Sequence, residues 1–83
     1  MDKVLICLEI PAVGESFEMY VPDYIPVRNL LPLLIRSVKD LSGGLYVSSG
    51  TELLCVKGQD TILDENASLS QYDIGTGDHL ILL

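Results

Sequence analysis

Ile25 to Leu41 reads IPVRNLLPLLIRSVKDL. Val27, Leu30, Leu31, Leu34, Val38 and Leu41 recur at spacings of three and four, one face of a helix that turns about 100° per residue. Arg28, Arg36, Lys39 and Asp40 fall off that stripe and can stay in water. Pro26 suits the first helical position, where its missing N–H has no partner to lose. Ser42-Gly43-Gly44 ends the segment, with glycine supplying a left-handed residue past the last turn. Pro32 removes a hydrogen bond in the second turn and predicts a kink or an irregular start. Leu33 lies off the stripe, either half-covered by a loop or part of a contact surface.

The flanking segments alternate instead. Lys3 to Ile10, KVLICLEI, sets Val4, Ile6, Leu8 and Ile10 on one side and Leu5, Cys7 and Glu9 on the other. Ser16 to Val21 repeats the pattern with Phe17, Met19 and Val21, and the link from Pro11 to Glu15 makes a hairpin. Beyond the helix, Gly43 to Gly50 is a loop rich in Gly and Ser. Thr51 to Lys57 is a third strand whose LLCV run does not alternate, so its register is open to a slip of one. Thr61 to Leu63 is a short fourth strand. Leu69 to Ile74 is a short helical turn that Ser68 can cap, and His79 to Leu83 is the last strand. One amphipathic helix among strands lies across one face of a sheet. With the two most apolar strands, first and last, as parallel central neighbours, this is an α+β chain with the β-grasp arrangement: a mixed sheet with one helix packed across one face. The expected core is Val4, Ile6, Leu8, Phe17, Met19, Val27, Leu31, Leu34, Val38, Leu54, Val56, Leu69, Ile74, Leu80 and Leu82.

Composition bounds the function. Eighty-three residues make a single domain, 1–83. A chain this short buries only about 60–65% of its unfolded surface. The hydrophobic share of 48% argues against disorder, as does the mean hydropathy of +0.37. A net charge of −7 with five Lys plus Arg leaves no basic footprint for nucleic acid. The early apolar run is too short for a signal peptide, and no stretch approaches the roughly 18 apolar residues of a membrane span. The expectation is a cytoplasmic protein with no direct membrane insertion.

Catalytic chemistry finds little support. His79 is the single histidine, and it reads as an ordinary surface residue rather than a general base. Cys7 and Cys55 have no basic neighbour in sequence to lower a thiol pKa. They sit on separate strands, so neither a disulfide nor a metal pair is expected. Asp64-Glu65 reads as an acidic turn. Gly75-x-Gly77 is too short for a phosphate loop and precedes a strand, not a helix. No catalytic, cofactor-binding or metal-binding residue is assigned, and no cofactor is expected.

The C-terminal third carries a more specific pattern. Leu63-Asp64, then Leu69-Ser70-Gln71-Tyr72-Asp73-Ile74, then Gly77-Asp78-His79-Leu80-Ile81-Leu82 resembles the closing stretch of ubiquitin-like domains. Leu69 and Ile74 would plug the open end of the core, and Tyr72 would tie the short turn to the adjacent loop. Tyr24-Ile25-Pro26-Val27 and Gly75-Thr76-Gly77-Asp78 look like the EsaB/YukD branch, small bacterial ubiquitin-like proteins associated with type VII (WXG100) secretion. The resemblance spans nearly the whole chain. It implies a non-catalytic protein–protein interaction module, a cytoplasmic accessory or regulator whose partner is a cytosolic part of the secretion machinery. Two alternatives are a ubiquitin-like modifier or sulfur carrier, and the cytosolic domain of a larger secretion membrane protein. Modifiers and carriers are adenylated on a flexible Gly-Gly tail. Here Leu80-Ile81-Leu82-Leu83 closes the sequence within a strand, so conjugation is not expected. Lys3, Lys39 and Lys57 then read as solubilising residues.

The strand order expected for this fold sets Leu5, Cys7, Leu53, Cys55, Ile81 and Leu83 on the sheet face away from the helix. An open sheet with a helix on one side usually alternates apolar-in, polar-out. Six apolar side chains on the outer face make a candidate interface for a protein partner or for a second copy of the chain.

Overall fold

The computed structural model describes residues 3–59 and 61–83. Its element order is β1 (Lys3–Ile10), β2 (Glu15–Pro22), α1 (Val27–Leu41), β3 (Leu54–Val56), β4 (Thr61–Ile62), a short 3₁₀ turn (Leu69–Tyr72) and β5 (His79–Leu82). The strands form one sheet in the order β2-β1-β5-β3-β4. β1 and β5 are parallel central neighbours, while the β1–β2, β3–β5 and β3–β4 pairs are antiparallel. A parallel pair needs a crossover, and α1 belongs to the one that joins β1–β2 to the far half of the sheet.

The helix starts one residue later than its proline suggests. Pro26 is extended, with φ −59° and ψ 146°, and stands just before the first turn rather than in it. The free amides of that turn are met from elsewhere in the chain: Val27 N–H donates to the Ala67 carbonyl at 2.8 Å, and Arg28 N–H to the Glu65 carbonyl at 2.9 Å. The turn after β4 therefore caps α1, where a helix N-terminus otherwise leaves donors unsatisfied. α1 runs on through Pro32 as one helix. At its far end Gly44 N–H reaches the Lys39 carbonyl and Gly43 N–H the Asp40 carbonyl. That is the Schellman arrangement, and it requires the φ of +66° that Gly43 supplies.

Val27, Leu30, Leu34 and Val38 form the buried stripe of α1. They meet Ile6, Leu8 and Ile10 of β1, Leu54 of β3 and Leu80 and Leu82 of β5 in one core. Leu54 and Val56 point inward with Cys55 between them, which fixes the third strand in the unslipped register. The strand is shorter than the run from Thr51 to Lys57, because Thr51 and Glu52 belong to the loop and Leu53 stands just past the last ladder pair, Leu54 with Leu82. Val4, Phe17, Met19, Leu31 and Val56 pack on the rim of the core rather than inside it. Leu41, the last residue of the stripe, is 53% exposed. Tyr46, from the loop after α1, is buried instead.

Leu69 and Ile74 close the end of the core, both buried. The Tyr72 hydroxyl accepts the Asp64 N–H at 3.0 Å and ties the 3₁₀ turn to the β4 loop. The Gln71 side chain accepts the Ser68 N–H at 2.8 Å and caps the start of the turn.

Candidate functional site

The outer sheet face is built in rows by the strand register. Glu18, Cys7, His79 and Lys57 lie side by side across β2, β1, β5 and the end of β3. The next row holds Glu9, Ile81, Cys55 and Ile62. Beyond it Leu53 and Leu83 exchange two backbone hydrogen bonds, of 2.8 and 2.9 Å, past the ends of β3 and β5.

The six residues singled out by alternation all lie on this face, but they do not form one uninterrupted surface. Glu9 and Lys57 flank β5 and join in an ion pair over it, running from one row to the next. The carboxylate's hydrogen bond, and then its charge, holds the Lys57 ammonium above its ordinary pKa. Lys57 is thus not only a solubilising residue. The pair leaves Leu5 and Cys7, both half-buried, on one side. Ile81, Cys55, Leu53 and Leu83 lie on the other, where Ile62 joins them. Leu53 is 46% exposed, and Ile62 and Leu83 are each 58% exposed. Ile81 is half-buried and Cys55 is buried among them. Cys55, Ile62, Ile81 and Leu83 line a shallow hollow of about 600 Å³. Ile62 was missed by reading from sequence because its strand is two residues long and carries no alternation.

The fold also brings together groups that sequence distance kept apart. Cys7 stands opposite His79 on β5 and Glu18 on β2. Among the described residues, no side-chain hydrogen bond joins the three. Both cysteines are free thiols. The glycines before β5 serve the sheet: Gly77 N–H donates to the Leu5 carbonyl, and the Thr76 hydroxyl accepts the Leu5 N–H. Among the described residues, no group of three or more His, Cys, Asp or Glu is placed to hold a metal ion. Among the described residues, no helix is long and apolar enough to cross a membrane.

On the helix side, Gly43 to Leu53 is held by a buried carboxylate. Glu52 Oε2 accepts from the Tyr46 hydroxyl at 2.8 Å, the Ser48 hydroxyl at 2.6 Å and the Ser49 N–H at 3.1 Å. Burial alone would push the Glu52 carboxyl up. The donors from Ser48, Tyr46 and the backbone outweigh it and hold the pKa below its ordinary value. Burial first, and then the hydrogen bond to Glu52, push the Tyr46 phenol up to about 12.

Residues 5–82 match the family model described as WXG100 protein secretion system (Wss), protein YukD. Among solved structures, the chain is similar to the ubiquitin-like domain of the Mycobacterium tuberculosis type VII secretion system protein ECCD1. The TM-score is 0.79 at 12% identity, over 100% of this chain and 99% of that one. The EccD5 ubiquitin-like domain from Mycobacterium xenopi aligns with a TM-score of 0.74 at 18% identity, over 100% and 94% of the two chains. In protomer 1 of the ESX-3 core complex the chain matches 16% of a much longer protein, with 98% of itself covered, a TM-score of 0.74 and 23% identity. At these identities the structural likeness speaks for the fold, which is the ubiquitin-like β-grasp. No curated protein sequence matches the chain significantly.

Proposed function

The chain belongs to the YukD family of the WXG100 secretion system, and from that premise we propose that it is a non-catalytic interaction module acting in the cytoplasm as an accessory or regulator of type VII secretion. Its partner is a cytosolic protein component of that machinery, bound through the outer sheet face. The observation that carries this reading is the apolar cluster of Leu53, Ile62 and Leu83 around Ile81 and Cys55. Water-exposed apolar groups on adjacent strands gain about 25 cal/mol per Å² when a partner covers them, and such patches mark interfaces more often than they occur by chance. Leu5 and Cys7 form the outlying part of the same surface, beyond the Glu9–Lys57 pair. A second copy of the chain is the alternative occupant.

Affinity purification from the native cell, with and without Ile62→Ser and Leu83→Ser, tests this. Recovery of type VII secretion components that is lost in the variant supports it. Recovery of an adenylating enzyme carrying the chain as a thioester would assign it instead to the modifiers and carriers. A second reading has the chain working as a domain of a longer secretion-membrane protein. The ubiquitin-like segment within the much longer ESX-3 protomer favours it. Both readings place the module at the same machinery and use the same face.

A further inference from the structure

Three of the five cations of this acidic chain line one groove. Arg28, Arg36 and Lys39 border a depression of about 490 Å³ between the outer side of α1 and the 48–52 loop. Its floor is apolar, made by Leu31, Pro32 and Ile35. Leu31 and Ile35 rest on the core and present their remaining surface to the groove. The loop wall is fixed by the Glu52 network, whose carboxylate is occupied by three donors. Among the described residues, the Arg28 side chain bonds the neutral Asn66 side chain and has no ion pair. Among the described residues, neither Arg36 nor Lys39 has an ion pair.

We infer that this groove docks a short acidic segment of a partner protein, with apolar side chains on the Leu31–Pro32–Ile35 floor and Asp or Glu beside Arg28, Arg36 and Lys39. Charge complementarity selects the occupant. The chain carries −7 overall, yet three of its five cations gather along one side of one helix. At a rise of 1.5 Å per residue, Arg28 and Lys39 stand about 16 Å apart along the axis. Cations spread that far do not converge on a single phosphate, but they match carboxylates distributed along a peptide. α1 covers the sheet face opposite the Ile62–Leu83 cluster, so the two surfaces can be filled at once. This docking site therefore stands or falls independently of the sheet-face reading.

The test is selection of a random peptide library on the folded protein, followed by titration of the selected peptides. The expected sequences combine two apolar anchors with several Asp or Glu. They should shift amide resonances of residues 28–39 and 48–52. Affinity should fall at least tenfold in the exposed double variant Arg36→Glu with Lys39→Glu, and stay within twofold in Ile62→Ser with Leu83→Ser. Thermal unfolding of both variants confirms the fold. Peptides without acidic residues, shifts confined to the sheet face, or affinity unchanged by charge reversal would each overturn the proposal. So would sedimentation with phosphatidylserine vesicles that the charge reversal abolishes, which would give the groove to a membrane.

Discussion

The Tyr46 hydroxyl donates a 2.8 Å hydrogen bond to Glu52 Oε2, and both side chains are buried. This contact turns a loop rich in Gly and Ser into a fixed wall beside the helix. It also makes stability depend on pH in two windows. The folded-state pKa of Glu52 lies below its ordinary value of 4.5. Its stabilisation is therefore present above that value and is lost as pH falls through the depressed one. The phenol runs the other way. Its folded-state pKa of about 12 exceeds the ordinary 10.0. Stability present below pH 10 declines as pH rises toward 12, with a slope of at most about 1.4 kcal/mol per pH unit. Chemical denaturation across pH should show both limbs. Glu52→Gln should flatten the acid limb and Tyr46→Phe the alkaline one, each at a cost of about 1–3 kcal/mol near neutrality.

The helix stripe predicts a contrast between two leucines. Leu34 is fully buried and Leu41 is 53% exposed. Leu34→Ala should cost about 2–5 kcal/mol, the range for a cavity in a packed core. Leu41→Ala should shift the denaturation midpoint far less. Equal effects would mean that the last turn of α1 packs against the core.

The thiols should differ in reactivity. Cys7 is half-buried on the outer face, whereas Cys55 is buried. A disulfide exchange reagent applied to the native protein should modify Cys7 first. Cys55 should react with a rate that rises on unfolding. Ile62→Ser, which removes apolar cover beside Cys55, should narrow the gap.

Much of this arrangement is legible in the sequence because it is local. The 3.6-residue period gives the buried face of α1, alternation gives both faces of β1, and Leu69, Tyr72 and Ile74 announce the closing turn. The misses are contacts that neither a period nor an alternation marks. Tyr46 is a single aromatic between Leu45 and Val47 in a loop rich in Gly and Ser, with no periodicity to mark it alone as core. Glu52 reads as a surface acid until three donors are seen to converge on it. Glu9 and Lys57 lie 48 positions apart, and only the strand order brings them together over β5. That pair is why six outer-face side chains do not make one patch. Ile62 joins the candidate surface because β4 pairs with β3 beside Cys55.

The ion pair offers its own test. Replacing it by Glu9→Leu with Lys57→Leu would connect Leu5 and Cys7 to the Ile81 side in one apolar surface. Light scattering should then detect more self-association than in the parent chain at the same concentration, since large contiguous apolar patches drive association. An unchanged molar mass would show that the pair does not limit the patch.

The most direct measurement of the central claim is partner recovery with the face altered and the fold intact. Ile62→Ser with Leu83→Ser changes two side chains that are each 58% exposed, so the core should survive and the thermal midpoint should barely move. Purified from its native cell, the parent chain is predicted to bring down cytosolic components of the type VII machinery, and the variant is predicted to lose them. Undiminished recovery by a folded variant would contradict the account and move the interface away from the sheet.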